Sequence, residues 1–142
     1  MMSNFYKCVN FKPEELVDRQ TLERFKGDIW FLFNQRALIA LDGIRNYFKK
    51  PVTVNNWYWN GSFQFRGFRP FDESTGAKYS QHRLGNAFDL DVEGIPAGEV
   101  REEIIKNKDG VHFYLITCLE IDITWLHFDC RNIENRILLV KP

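Results

Sequence analysis

Apolar residues recur at helical spacing in the first third of the chain. Between Thr21 and Lys49 they stand three or four positions apart, which is the period of a helix with one buried face. The stripe consists of Trp30, Phe33, Ala37, Leu41, Ile44 and Phe48. Pro13 indicates an earlier first turn, Gly27 is a candidate break, and Pro51 ends the helix because proline cannot continue one. The pattern predicts a core-facing helical segment over 13–49, with a partner-binding face as the alternative.

Alternating polar and apolar positions in the second half predict strands. In 87–92 the residues Ala87, Asp89 and Asp91 would share one face, because strand side chains alternate with period two. Trp125, His127 and Asp129 form the equivalent face of 121–130. Further strands are predicted at 52–59, 111–118 and 137–140, with 111–118 and 121–130 as a hairpin, and a short helix is predicted at 97–107.

The stretch from Ser62 to Tyr79 has little periodicity and predicts a long loop after a turn at Asn60-Gly61. Four aromatic residues alternate just before and within its start, namely Trp57, Trp59, Phe63 and Phe65. Large aromatic side chains gain much free energy from burial, so we interpret these four as core. The alternative is a cleft floor that grips sugar or peptide.

These elements together predict an α+β fold, with a small antiparallel sheet and flanking helices in a single domain over 1–142. A chain of 142 residues with 44% apolar and 15% aromatic residues can bury one substantial core. Its 19 basic and 19 acidic side chains cancel, which argues against nucleic acid as a partner. No stretch is apolar and long enough to predict a membrane span, and no signal peptide is visible, so we expect a protein that is cytoplasmic as made.

The three cysteines have no metal-type spacing, and we interpret them as buried or incidental thiols. A different set of residues predicts a metal site. His82 precedes Asp89 by seven residues, with Gly85 able to supply a positive φ to the turn between them. If the two acidic strand faces adjoin, His127 becomes the third ligand. Two imidazoles and one carboxylate suit zinc and leave a fourth position for water, whereas His112 is expected to be structural or solvent-facing.

The same residues also have an ordinary structural interpretation, in which His82 caps a turn, Asp89 is solvated and His127 is a satisfied strand histidine. The wider pattern resembles the zinc D-Ala-D-Ala carboxypeptidase and phage endolysin family of metallopeptidases. The residues that carry the resemblance are Ser80, His82, Gly85, Ala87 and Asp89, followed by Trp125 and His127. It covers about residues 50–131. The family shares its fold with the hedgehog signalling domain, so the resemblance implies that architecture.

The resemblance further implies zinc bound by His82, Asp89 and His127, with bacterial cell-wall peptides that contain D-residues as the substrate. Arg69, in Gly67-Phe68-Arg69, would bind a substrate carboxylate or a developing oxyanion, and Ser80 would hydrogen-bond the peptide. Asp91 would orient a metal ligand from behind. A phage-encoded protein acting on the cell wall fits this substrate.

One departure concerns the general base. The family places an acid three residues before the last histidine, and Thr124 stands there in this chain. Glu120, Asp122 and Asp129 are nearby in sequence. Asp129 shares the strand face of His127, and Asp122 would need a bulge to turn toward the metal, so these two are the predicted bases. Thr124 also supports an alternative function, a catalytically impaired zinc-binding module of phage or cell-wall proteins. A metal-free α+β protein is a third option.

Overall fold

The computed structural model of the protein describes residues 5–73, 76 and 79–142. Its helices are α1 (Arg19–Phe25), α2 (Gln35–Phe48) and α3 (Ala97–Lys106). Its strands are β1 (Val52–Thr53), β2 (Ala87–Val92), β3 (Cys118–Glu120), β4 (Leu126–Asp129) and β5 (Leu138–Val140). Short 3-10 turns occupy Pro13–Glu15, Trp30–Leu32 and Trp57–Trp59. Among the described residues, no helix has both the length and the apolar character that a membrane crossing requires.

The five strands form one sheet in the order β1-β2-β4-β3-β5. The pairs β1/β2, β2/β4 and β4/β3 are antiparallel, and β3/β5 is parallel. The α+β prediction is confirmed, but the sheet is mixed rather than purely antiparallel. After β4 the chain crosses to the edge of the sheet beyond β3, where β5 pairs with β3 and runs in the same direction.

Helix α2 packs its apolar stripe against the sheet. Ala37, Leu41 and Ile44 are buried, and the Phe33 ring just before the helix stacks on Phe88 of β2 with centroids 5.3 Å apart. The helix begins at its N-cap Asn34, whose side-chain oxygen accepts a hydrogen bond from the Arg36 N–H. The core-facing stripe is therefore confirmed, with Phe48 partly buried, but the predicted helical segment is only partly helical: α-helix covers 19–25 and 35–48, and Trp30 and Phe33 lie in the stretch 26–34 between them, which is not α-helical.

Residues 5–12, which precede the first 3-10 turn, contain no helix or strand. This segment is attached to α2 through the buried Asp42 carboxylate, which accepts hydrogen bonds from the Tyr6 hydroxyl at 2.6 Å and the Val9 N–H at 2.8 Å. The three cysteines are free thiols. Cys118 and Cys130 are buried and Cys8 is partly buried, which confirms their interpretation.

The predicted strand at 52–59 is wrong beyond Thr53. Asparagine side chains bind the backbone here and replace a strand ladder: Asn56 Oδ1 accepts from the Phe63 N–H, and Asn55 Oδ1 from the Arg66 N–H. Placing the neighbouring aromatics in the core is also wrong. Trp59 is 78% exposed and Phe63 is 40% exposed, and Trp57 and Phe65 are only partly buried.

The predicted strand at 111–118 is wrong except at its last residue. The Gly110 carbonyl accepts hydrogen bonds from the N–H groups of Phe113 and Tyr114, so the chain turns and buries Phe113 and Ile116. In 121–130 only 126–129 is strand, because Asp122 adopts a φ of 63° in the preceding turn. The loop predicted over 62–79 contains no helix or strand among its described residues; 74, 75, 77 and 78 lie outside them.

Candidate metal centre

The register of β2 and β4 brings the first two ligands together. Asp89 lies directly opposite His127 in this antiparallel pair, and their neighbours Phe88 and Phe128 are paired in the same register. Because alternate side chains point to opposite faces, the aromatic pair enters the core while Asp89 and His127 share the other face. The alternation seen in the sequence therefore assigned these faces correctly.

His82 reaches the cluster from the turn that precedes β2. Gly85 in this turn has a φ of 70°, and a Cβ at this position would lie 2.1 Å from the Leu32 carbonyl oxygen. The Gly85 carbonyl accepts a hydrogen bond from the Asn34 N–H at 2.9 Å. The turn is thus pressed against the start of α2, and only glycine fits both the backbone conformation and the space.

The three predicted ligands converge on one point. His82 Nε2 lies 3.2 Å from Asp89 Oδ2, and His127 Nδ1 lies 2.8 Å from Asp89 Oδ1. All three residues are buried, and one ligand atom from each lies within 4.8 Å of the others. Ligand atoms around a tetrahedral zinc ion, at bonds of about 2.0–2.1 Å, stand roughly 3.3 Å apart. The residues therefore fit a small divalent cation with little rearrangement.

The second nitrogen of each imidazole is held by an acceptor behind the cluster. His82 Nδ1 lies 2.9 Å from the Gly67 carbonyl oxygen, and His127 Nε2 lies 2.9 Å from Asp129 Oδ2. Asp129 in turn accepts two hydrogen bonds of 2.7 Å from the Arg131 guanidinium. These contacts fix both rings with one nitrogen directed at Asp89, which is the arrangement found behind metal-bound histidines.

The electrostatics of the cluster keep its carboxylates ionised. Burial raises the pKa of Asp89, but hydrogen bonds from His127 and His82 outweigh it and hold that pKa well below its usual range. Burial also raises the pKa of Asp129, yet the bonds from Arg131 and His127 bring it to about 2. For His127, burial lowers the pKa, while Asp129 and Asp89 raise it to about 9. The carboxylates of Asp129 and Asp89 therefore favour a positive charge at His127.

The cluster lies in a pocket of about 380 Å³. The residues around it are Arg69, Gly76, Tyr79, Ser80, Gln81, His82, Asp89, Glu120, Trp125, His127, Arg131 and Pro142. Both predicted substrate-binding residues belong to this wall, with Arg69 Nη1 3.4 Å from Ser80 Oγ. Burial lowers the pKa of Arg69, and the Asp89 charge opposes that change. The buried Arg69 Nε has no hydrogen-bond partner among the described residues.

The structure does not bring the two predicted bases to the pocket. Asp122 is exposed, lies outside the pocket wall and has Lys141 Nζ 3.8 Å away. Asp129 has a fully buried side chain and faces His127 and Arg131 behind the cluster, where it orients a ring. Asp91 was predicted to orient a metal ligand. It is instead exposed, and its Oδ2 pairs with Arg66 Nη1 at 2.9 Å.

Glu120 is the acidic residue that the prediction passed over. It lines the pocket, and its Oε2 lies 3.9 Å from His127 Nδ1. Glu120 fell in the gap between the two predicted strands, 111–118 and 121–130, so no face was assigned to it. A hairpin register centred on 118–120 and 127–129 would have found it.

The remaining histidine lies apart from the cluster. His112 is partly buried with its ring 5.4 Å from the Tyr47 ring, which agrees with its interpretation as structural.

No protein-family model, no curated protein and no solved structure matches this chain.

Proposed function

We propose that this protein is a zinc-dependent peptidase that cleaves amide bonds in bacterial cell-wall peptides. The observation that carries the proposal is the convergence of His82, Asp89 and His127 in an open pocket. Two imidazoles and one carboxylate are a donor set typical of catalytic zinc, and three protein ligands leave a position for water. A closed structural site would bring a fourth protein ligand to the same point.

Zinc in such a site supplies a Lewis acid that polarises the scissile carbonyl and acidifies water. The protein contributes the positions of the groups around it. His82 Nε2 and His127 Nδ1 are already directed at Asp89 by their hydrogen bonds on the far side of each ring. A cation held by His82, Asp89 and His127 would replace the contacts of the two rings to Asp89, while the Gly67 carbonyl and Asp129 would still orient the rings.

The pocket wall supports a peptide with a carboxylate or a polarised carbonyl near the metal. Arg69 lies beside Asp89 and Ser80, and its guanidinium can bind a carboxylate in a charge-assisted contact. The buried Arg69 Nε, which has no partner among the described residues, offers a further donor. Tyr79 and Trp125 add exposed aromatic surface at the same pocket. The cell-wall substrate and a hedgehog-like architecture are proposed from the motif resemblance, which these positions support.

A second candidate is a zinc-binding recognition module without hydrolysis. Thr124 favours it, because this residue stands where the family carries its acid and is exposed away from the pocket wall. Such a module would hold zinc and bind wall peptides in the same pocket. It would release no product.

Digestion of purified muropeptides, followed by mass spectrometry, separates the two functions. We expect zinc-loaded protein to release hydrolysed stem peptides, a chelator to stop the release, and Arg69→Lys to lower the rate by at least about tenfold. His112→Ala is the matched control and should retain the rate. Bound zinc with peptide binding but no product would establish the recognition module. Absence of both bound zinc and product would reject both candidates.

A further inference from the structure

We propose that Glu120 is the catalytic carboxylate of this site, which takes the proton from the attacking water and passes it to the leaving amine. The inference rests on the proposed peptidase function. It assigns the role to a residue on a neighbouring strand, since Thr124 stands in the position where an acid is expected from the motif.

The sheet places Glu120 next to the ligands. Strands β3 and β4 pair with Cys118 opposite Asp129 and Leu119 opposite Phe128, so one further step puts Glu120 opposite His127. His127 in turn lies opposite Asp89 on β2. Side chains directly opposite one another on antiparallel strands share a face and lie about 4.5–5.5 Å apart at Cβ. Asp89, His127 and Glu120 therefore form one row across three adjacent strands.

Glu120 stands beside the ligand set without joining it. Its Oε2 lies 3.9 Å from His127 Nδ1, the nitrogen directed at the cluster, and its side chain is 22% exposed in the pocket. The described residues whose ligand atoms all lie within 4.8 Å of one another are His82, Asp89 and His127, and Glu120 is not among them. A carboxylate oxygen 3.9 Å from His127 Nδ1 is close enough to act on water and substrate at the metal without being a ligand itself.

The backbone of Glu120 is held on both sides. Strand β3 lies between β4 and β5, and Glu120 pairs with Val140 across the parallel edge. Its carbonyl also accepts a hydrogen bond from Arg101 Nε at 2.9 Å. A carboxylate on an interior strand is positioned more precisely than one on a loop, which favours proton transfer at a fixed point. Asp122, by contrast, lies on an exposed turn.

The step balances without another reactant. The water oxygen bonds to the scissile carbonyl carbon while one water proton moves to a Glu120 carboxylate oxygen. The carbon–nitrogen bond then breaks, and the same proton moves from Glu120 to the leaving nitrogen. The products are a carboxylic acid and an amine, and Glu120 returns to the carboxylate form.

The test compares Glu120→Gln and Glu120→Asp with Glu134→Gln, a matched change at an exposed glutamate away from the pocket. Three quantities are measured on each purified zinc-loaded protein: the rate of muropeptide hydrolysis, the zinc content by mass spectrometry, and peptide affinity by calorimetry. We expect Glu120→Gln to lower kcat by about 10²–10⁴-fold. Zinc should remain at one ion per chain, and the peptide Kd should change by less than about threefold.

Glu120→Asp and the control Glu134→Gln provide two further comparisons. Glu120→Asp keeps a carboxylate at a longer reach, so it should retain more activity than Glu120→Gln, and Glu134→Gln should match the parent protein. Loss of zinc from Glu120→Gln would make Glu120 a ligand and overturn the inference. An unchanged rate in Glu120→Gln would overturn it while the proposed peptidase function stands. A parent protein that binds zinc but hydrolyses no wall peptide would reject that function, and the inference with it.

Discussion

At the scale of single residues, each ligand nitrogen depends on the group behind it. His127 is held by Asp129, and Asp129 is held by the two hydrogen bonds from Arg131. A ring fixed in this way presents Nδ1 to the cluster without losing rotamer entropy when a metal binds. We therefore expect Asp129 to contribute to metal affinity although it lies behind the proposed ligands.

Replacing Asp129 with asparagine should weaken zinc binding by about 10–100-fold, the usual cost of losing an acceptor behind a metal ligand. Asparagine keeps the size of the side chain but loses the charge that pairs with Arg131 and His127. Affinity is measured by competition with a chromophoric chelator. Asp91→Asn, at an exposed acid on the neighbouring strand, is the matched control. An affinity in Asp129→Asn equal to that of the control would show that the hydrogen bond to His127 does not contribute.

Among single residues, the three proposed metal ligands could be predicted from the sequence, but the nearest acid could not. Spacing in one turn and one strand, with Trp125-Leu126-His127 later, was enough to predict the three ligands that the structure brings together. The identity of the nearest acid was out of reach, because it depends on which residue of β3 faces His127. That register is set by the turn at 121–125, whose conformation the sequence pattern did not indicate.

At the scale of elements, the turn that carries His82 is fitted against the start of α2. Gly85 and Gly94 both have positive φ, at 70° and 76°, but they differ in their surroundings. A Cβ on Gly85 would lie 2.1 Å from the Leu32 carbonyl oxygen, whereas a Cβ on Gly94 would meet nothing within 4 Å. Alanine substitutions at these two glycines therefore separate the free-energy cost of the positive φ from the cost of the close approach to Leu32.

Gly94→Ala should lower the free energy of unfolding by about 1 kcal/mol, the usual cost of a positive φ for alanine. Gly85→Ala should cost at least about 1–2 kcal/mol more, because the turn must move away from Leu32 or strain the backbone. Urea denaturation of the two variants measures the difference. Gly85→Ala should also weaken zinc binding, since the turn positions His82. Equal stabilities for the two variants would contradict the close fit of this turn.

The periodic segments that form α2 and β2 were predicted closely, as were the short helix at 97–107 and the strand at 137–140, whereas the strands predicted at 52–59 and 111–118 were not. The stripe of α2 and the alternation of β2 each extend over enough residues to fix their type. The predicted strand at 52–59 failed because the side chains of Asn55 and Asn56 bind the backbone in place of a neighbouring strand. A pattern of apolar and polar positions does not reveal that asparagine side chains take the backbone hydrogen bonds that a neighbouring strand would otherwise make.

At the scale of the whole molecule, the site is assembled by the order of the strands. His82, Asp89, Glu120 and His127 come from four separate segments, and the arrangement β2-β4-β3 sets the last three in one row. Composition and alternation predicted an α+β domain correctly. The strand at 137–140 was predicted, but its parallel pairing with β3 was not, because its direction follows from the course of the chain over 130–137.

Zinc content after dialysis against the metal, in the parent protein and in three single histidine variants, tests the central claim most directly. We expect one zinc ion per chain in the parent and in His112→Ala, whose histidine lies apart from the cluster. His82→Ala and His127→Ala should each retain none, because each removes one of three ligands. Equal zinc content in all four proteins, or none in the parent, would contradict the account.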